Sequence, residues 1–351
     1  MTPIPKDIPL PLPTPEPFLV VLLVVFFLLH IFFVNLMVGG TLLTVFYQIK
    51  GLVDQRYDRV AHVIANTVTV NKSLAVVLGV GPLLAINALY TVYFYTANAL
   101  TGTMWLSIIP LVIAAFLLTY LHKFTWEAMA SRRRLHIAIA VGAAALFLFI
   151  PLIFLTNINL MLFPDRWTEV QGFLSAMLLS NVLPRYLHFV LACLAWTGLF
   201  LVWLFRRAKQ DTIDAIGIDR GELIRSGYRW ALIPTLAQFL VGPIVLLSLP
   251  EAGLASRVVV TILIGAAIAF PATLLMLAEV RCQPARIGVF FWPIVCLISV
   301  TVVFMASGRH LYREASLAPH RALVKAKTEQ YLREVERATP EKSPISAPSR
   351  P

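Results

Sequence analysis

The stretch FLVVLLVVFFLLHIFFVNLMVGGTLLTVFYQI, residues 18–49, decides the fold class. It contains no Asp, Glu, Lys or Arg and exceeds the ~20 residues that carry a helix across bilayer hydrocarbon. Lipid offers no water to backbone amides, so such a run must be helical or part of a closed barrel. It is too long for the core of a signal peptide and has no basic segment ahead of it, so it is expected to persist as the first span. Further apolar runs follow at about 72–97, 102–126, 135–163, 183–205, 228–249, 257–279 and 287–308. No alternating ten-residue pattern of a membrane barrel is present. The expectation is an all-α polytopic membrane protein of about eight transmembrane helices.

The helices are expected as two four-helix groups, 18–163 and 182–310. Before them lies a proline-rich head, 1–17, containing IPLPLPTPEP. Between them, 164–181 reads as an amphipathic surface helix, and after them 311–351 reads as a polar tail with a disordered end. Composition agrees with burial in lipid: 59% of residues are hydrophobic, 13% are charged, and mean hydropathy is +0.80. A soluble domain of this size needs far more polar surface.

The net charge of +11 would suggest nucleic acid in a soluble protein. Here the basic residues fall in alternate loops: Lys50, Arg56 and Arg59; Lys123 and Arg132 to Arg134; Arg206, Arg207, Lys209, Arg220 and Arg225; Arg281 and Arg286. That alternation orients helices and meets anionic lipid, and no nucleic-acid partner is expected. It puts both termini on the outer, periplasmic side of a bacterial cytoplasmic membrane. Cys193, Cys282 and Cys296 are dispersed, and no CxxCH is present for covalent haem attachment. HxxxH, HExxH and CxxC spacings are absent, as are Walker and Rossmann glycine patterns.

Ionisable groups inside hydrocarbon are costly and mark candidate function. His30 lies mid-span in LLHIFFVNLMVGG, and His188 lies within the fifth span in LPRYLHFVLACLAW. His122 and His136 stand near inner span ends, His310 ends the eighth span, and His62 and His320 fall in a loop and the tail. Neutral imidazole is the commonest axial ligand of haem iron, and it also serves as a proton carrier or a helix–helix tie. Gly39–Gly40 would admit either a neighbouring backbone or a flat cofactor. Asn87, Asn98, Asn157, Asn159 and Gln238 read as ties between helices, Glu127 and Glu279 as partners of Lys123 or Arg281, and Lys72 as a side chain snorkelling to the inner surface.

The order of these features resembles subunit I of the cytochrome bd quinol oxidases, over roughly residues 15–315. HIFFVNLMVGG is similar to that family's first helix, ANTVTVNKSLAVVLGVGPL to its second, LHIAIAVGAAALFLFIPLIFLTNINLM to its fourth and RYLHFVLACLAWTGLFLVWLF to its fifth. MASGRHLY stands where the family has a Glu-containing segment followed by Gly-Arg-Gln-Pro-Trp. The resemblance implies that His30 and His188 ligate haem iron. Departures are plain. No methionine follows Arg257, where Val258, Val259 and Val260 stand; Ala306 occupies the place of a haem-binding Glu; and the quinol loop shrinks to SLPEAGLAS. The acidic residues of the third helix and a ninth span are missing too.

The resemblance therefore implies a diverged relative rather than an oxygen reductase. The expectation is a haem b subunit passing electrons between membrane quinone and a partner redox subunit, with a cytochrome c or other periplasmic carrier as a candidate partner. Met305, His310 and His122 are the candidate replacement ligands. Two alternatives remain open: a haem-free anchor or assembly subunit of a redox complex, and a small-solute transporter, which the prolines at 82, 151, 234, 243 and 271 keep in play.

Overall fold

A computed structural model describes residues 12, 14–283 and 286–338. Most of the proline-rich head and the last thirteen residues of the chain, 339–351, lie outside the described residues, as does the side chain of Lys72. Among the described residues every regular element is helical. The long helices are α1 (Glu16–Lys50), α2 (Gln55–Leu89), α4 (Thr103–Phe124), α5 (Arg133–Leu160), α7 (Val182–Arg207), α9 (Arg220–Leu247), α10 (Ser256–Arg281) and α11 (Phe291–Ala338). The shorter ones are α3 (Thr91–Thr101), α6 (Phe173–Met177) and α8 (Gln210–Ile216). Seven helices are long and apolar enough to cross a membrane, and the bent pair α2–α3 makes an eighth. The chain is an all-α polytopic membrane protein.

Local chemistry sets the helix starts. The Asp54 carboxylate accepts from the Arg56 backbone N–H at 3.0 Å and opens α2. Asp219 caps the N–H groups of Gly221 and Glu222 and opens α9. Gly217, with φ 74°, ends α8 in a left-handed turn that other residues adopt at a cost.

Four differences from the sequence expectation stand out. The second span is not one rod: α2 and α3 meet at Tyr90 at an angle of 110°. Residues 55–71, expected as a loop carrying His62, extend α2 instead, because Asp54 caps a run whose Val60, Ala61, Ile64, Ala65 and Val68 pack into the core. The expected polar tail is helical as far as Ala338, since α11 runs on past the membrane segment. It does so by burying Tyr312, Leu317 and His320. The 164–181 connector is not one amphipathic helix. A 3-10 turn at Pro164–Arg166 and the five-residue α6 make it up, with Trp167, Val170, Phe173 and Ala176 buried.

Helix α1 packs on α2, α5 and α7, α4 on α5, α7 on α9, and α10 on α9 and α11. The two groups of four are thus joined along α1 and α7. Phe32 and Trp196 stack across that contact with centroids 4.6 Å apart. A Cβ on Gly39 would strike the Cys193 carbonyl and the Thr197 hydroxyl, and one on Gly40 would strike Val68. Of the two readings of the glycine pair, the close helix approach is the one observed.

Candidate functional site at the histidines

His30 projects from α1 towards α2. Its Nδ1 lies 2.7 Å from the carbonyl oxygen of Ala75, so the neutral ring donates there and leaves Nε2 as its free base nitrogen. The ring packs against Gly79, where a Cβ would stand 2.8 Å from Cε1. A backbone carbonyl holding the distal nitrogen is how ligating histidines are commonly oriented. It is equally a helix–helix tie.

His188 sits two turns into α7. Its Nδ1 is buried with no hydrogen-bond partner among the described residues, while its backbone carbonyl accepts from Gln238 of α9 at 3.3 Å. An orphaned buried imidazole nitrogen is costly, and a ligand to it would remove that cost. No ring contact or hydrogen bond joins His30 to His188 among the described residues. The His30 ring leans on α2, and the backbone of His188 is tied to α9.

Of the candidate replacement ligands, His310 keeps a buried, unpartnered Nδ1 on α11. Met305 faces α10, its Cε 2.9 Å from where a Cβ of Gly265 would stand. His122 belongs to another constellation altogether, at the Lys50 end of the bundle.

There His122 Nε2 is 3.0 Å from Gln48 Oε1, Gln48 Nε2 donates to His136 Nδ1 at 2.8 Å, and His136 Nε2 donates to the His122 carbonyl at 2.7 Å. The two imidazoles stack at 4.1 Å, and Trp126 meets both edgewise while stacking on His62 at 4.6 Å. A cavity of about 10 Å³, room for one water molecule, adjoins His122 between Thr41, Thr44 and Thr119. With both Nε2 and ring face engaged, His122 is a member of a closed polar network. Desolvation beside Trp126 holds the His62 imidazole below the ordinary histidine range; Asp58 and Glu127 oppose this, while His136 and Lys123 add to it. Sequence reading marked His122 and His136 singly; it missed Gln48, which is buried and joins them.

The expected helix ties hold at Asn157, which donates to Asn98 and Thr101; at Asn159, which donates to the Ser180 carbonyl; and at Gln238. Asn87 instead bonds back to Leu83 within its own helix. Glu279 departs from its expected pairing with Arg281. Its carboxylate accepts the backbone N–H groups of Gly288 and Phe290, at 2.5 and 2.6 Å, and so closes the α10–α11 loop. Among the described residues no group of three His, Cys, Asp or Glu side chains is disposed to hold a metal ion. No family model matches the chain, and no curated protein matches it.

Proposed function

We propose that the chain is the integral haem b subunit of a membrane electron-transfer complex, with His30 and His188 as iron ligands. The single observation that carries this reading is the Nδ1 of His188, buried in an apolar helix with no hydrogen-bond partner among the described residues. The fixed Nδ1 of His30, which leaves Nε2 free, supports it. A haem b bound there supplies one-electron redox chemistry. The residues of this chain do the rest: Ala75 and Gly79 fix the plane of the His30 ring, and the surrounding helices exclude water and so tune the potential.

In this reading the Lys50 end faces the cytoplasm of a bacterium, because the basic loops gather there. The Glu16 end and the α11 extension face outwards, where a periplasmic electron carrier or another subunit of the complex would dock. Quinone is the membrane-side partner. His122 drops out of the ligand set because Gln48 occupies its nitrogen, while His310 remains in it.

The test is a reduced-minus-oxidised spectrum and a pyridine haemochrome assay on purified protein. A haem b signal that falls in His188→Ala and in His30→Ala bears the reading out. Unchanged spectra in both variants refute the ligand assignment. The haem-free anchor is the second reading, favoured by the His30–Ala75 bond, which joins α1 to α2 without any cofactor. Colourless protein that still copurifies with redox subunits would decide for it.

A further inference from the structure

Three arginines come together at the Glu16 end of the bundle, and among the described residues none of them is ion-paired to a carboxylate. Arg185 lies on the first turn of α7; Arg309 and Arg313 are one turn apart on α11. Arg185 is only 8% exposed, and both its Nη1 and Nη2 are buried with no hydrogen-bond partner. The Nε of Arg309 is buried and unpartnered as well. Arg309 lies within electrostatic range of both Arg185 and Arg313. Aromatic rings hold the three guanidinium groups: Arg185 over Tyr312 at 5.1 Å, Arg309 over Phe27 at 4.6 Å and Arg313 over Tyr90 at 5.0 Å. The carboxylate on the same stretch of α11, Glu314, is already committed to the Tyr90 hydroxyl and to Arg321.

Ring faces attract a guanidinium but satisfy none of its N–H donors; the Tyr312 hydroxyl serves one donor of Arg309 and the Tyr90 hydroxyl one of Arg313, while Arg185 has no such partner among the described residues. Like charges gathered in a low dielectric repel, and a buried charge without a hydrogen-bonded counter-ion is among the costliest arrangements a fold can keep. The two Nη donors of Arg185, buried and without a hydrogen-bond partner among the described residues, match the paired oxygens of a carboxylate or phosphate. Phe27 and the apolar flanks of α1, α7 and α11 would receive a hydrocarbon body below that head.

We propose that Arg185, Arg309 and Arg313 form an oxyanion site that binds the carboxylate or phosphate of an amphiphilic ligand. The site does not require a haem at His30. Arg309 is nevertheless within electrostatic range of that ring, so a haem propionate is one source of the oxyanion and a phospholipid phosphate the other.

The experiment uses full-length protein in detergent, with thermal unfolding as readout and three probes: protohaem, protohaem dimethyl ester and phosphatidylglycerol. The expected result is that protohaem or phosphatidylglycerol raises the wild-type midpoint, and that Arg185→Met and Arg309→Met each need at least tenfold more of the same probe. Without probe, Arg185→Met unfolds no lower than wild type, because an unpaired charge has gone. Arg185→Lys, which keeps the charge but not the fork, falls between. A response to protohaem and not to its ester assigns the oxyanion to the propionates; a response to phosphatidylglycerol assigns it to phosphate. A wild-type midpoint that none of the probes moves overturns the proposal, and so do variants that respond as wild type does. His30→Ala that loses the haem spectrum yet keeps the phosphatidylglycerol response leaves the oxyanion site standing independently of iron ligation. Intact haem ligation with unresponsive arginine variants sinks the oxyanion site alone.

Discussion

The imidazoles of His122 and His136, fourteen residues apart in sequence and on different helices, lie stacked at 4.1 Å with their planes 17° apart. Gln48 of α1 bridges them, its oxygen facing one ring and its amide nitrogen the other. Replacing it strands two buried ring nitrogens at once. Gln48→Leu should therefore lower the unfolding free energy by about 1–3 kcal/mol for each nitrogen left unpaired. Thermal unfolding of the variant beside wild type checks this; an unchanged midpoint would mean the bridge carries no stability.

His62 gives the same end of the molecule a pH dependence. Its folded-state imidazole titrates below the unfolded value of 6.5, so the unfolded chain binds the extra proton. Stability from this group is fully present above pH 6.5 and is lost progressively as pH falls from there through the lower folded-state value. The midpoint of wild type should thus drop between pH 7.5 and pH 5.5 more steeply than that of His62→Gln. Parallel profiles would dismiss the effect.

Glycine substitutions should separate by what they meet. Gly39→Ala drives a methyl into the Cys193 carbonyl, a backbone atom that cannot swing aside, and should be strongly destabilising. Gly242→Ala meets nothing within 4 Å and should be neutral or stabilising by up to about 1 kcal/mol through helix propensity. Expression level and midpoint of the two variants provide the comparison; equal behaviour would contradict the packing of α1 on α7.

The α11 extension is clamped to the α2–α3 bend by the Tyr90–Glu314 and Tyr93–His320 hydrogen bonds. Tyr90→Phe removes the first and should loosen the extension. Trypsin should then cut after Arg313, Arg321 or Lys325 several-fold faster than in wild type. Identical cleavage rates would show that the clamp lies elsewhere.

The spans were legible because hydrocarbon imposes one requirement, an uninterrupted apolar run, and α1, α4, α5, α7, α9 and α10 each carry it openly. The turn at Tyr90 was not. No proline or glycine marks that residue, and the bend is filled by residues of α11 more than two hundred positions away. The helical course of 311–338 was hidden for the same reason, since its buried face is apparent only once Tyr90, Tyr93 and Trp167 stand opposite it. At the site, single intramembrane histidines announced themselves by their cost in lipid. Their company did not: Gln48, Trp126 and His136 join His122 across three helices and the turn after α4, with no common period. The arginine cluster was equally silent, because Arg185 stands near a span end where a basic residue is unremarkable until its partners prove to be missing.

Helix α11 runs from Phe291 to Ala338 through Pro319, a contour of about 72 Å at the usual rise per residue. Such a helix acts as a lever arm. A few degrees of tilt imposed on the portion beyond the bilayer displaces the portion within it by several ångströms, and the displacement arrives first where Met305 rests against Gly265. A load placed on the distal end would therefore reach the middle of the bundle through the helix itself.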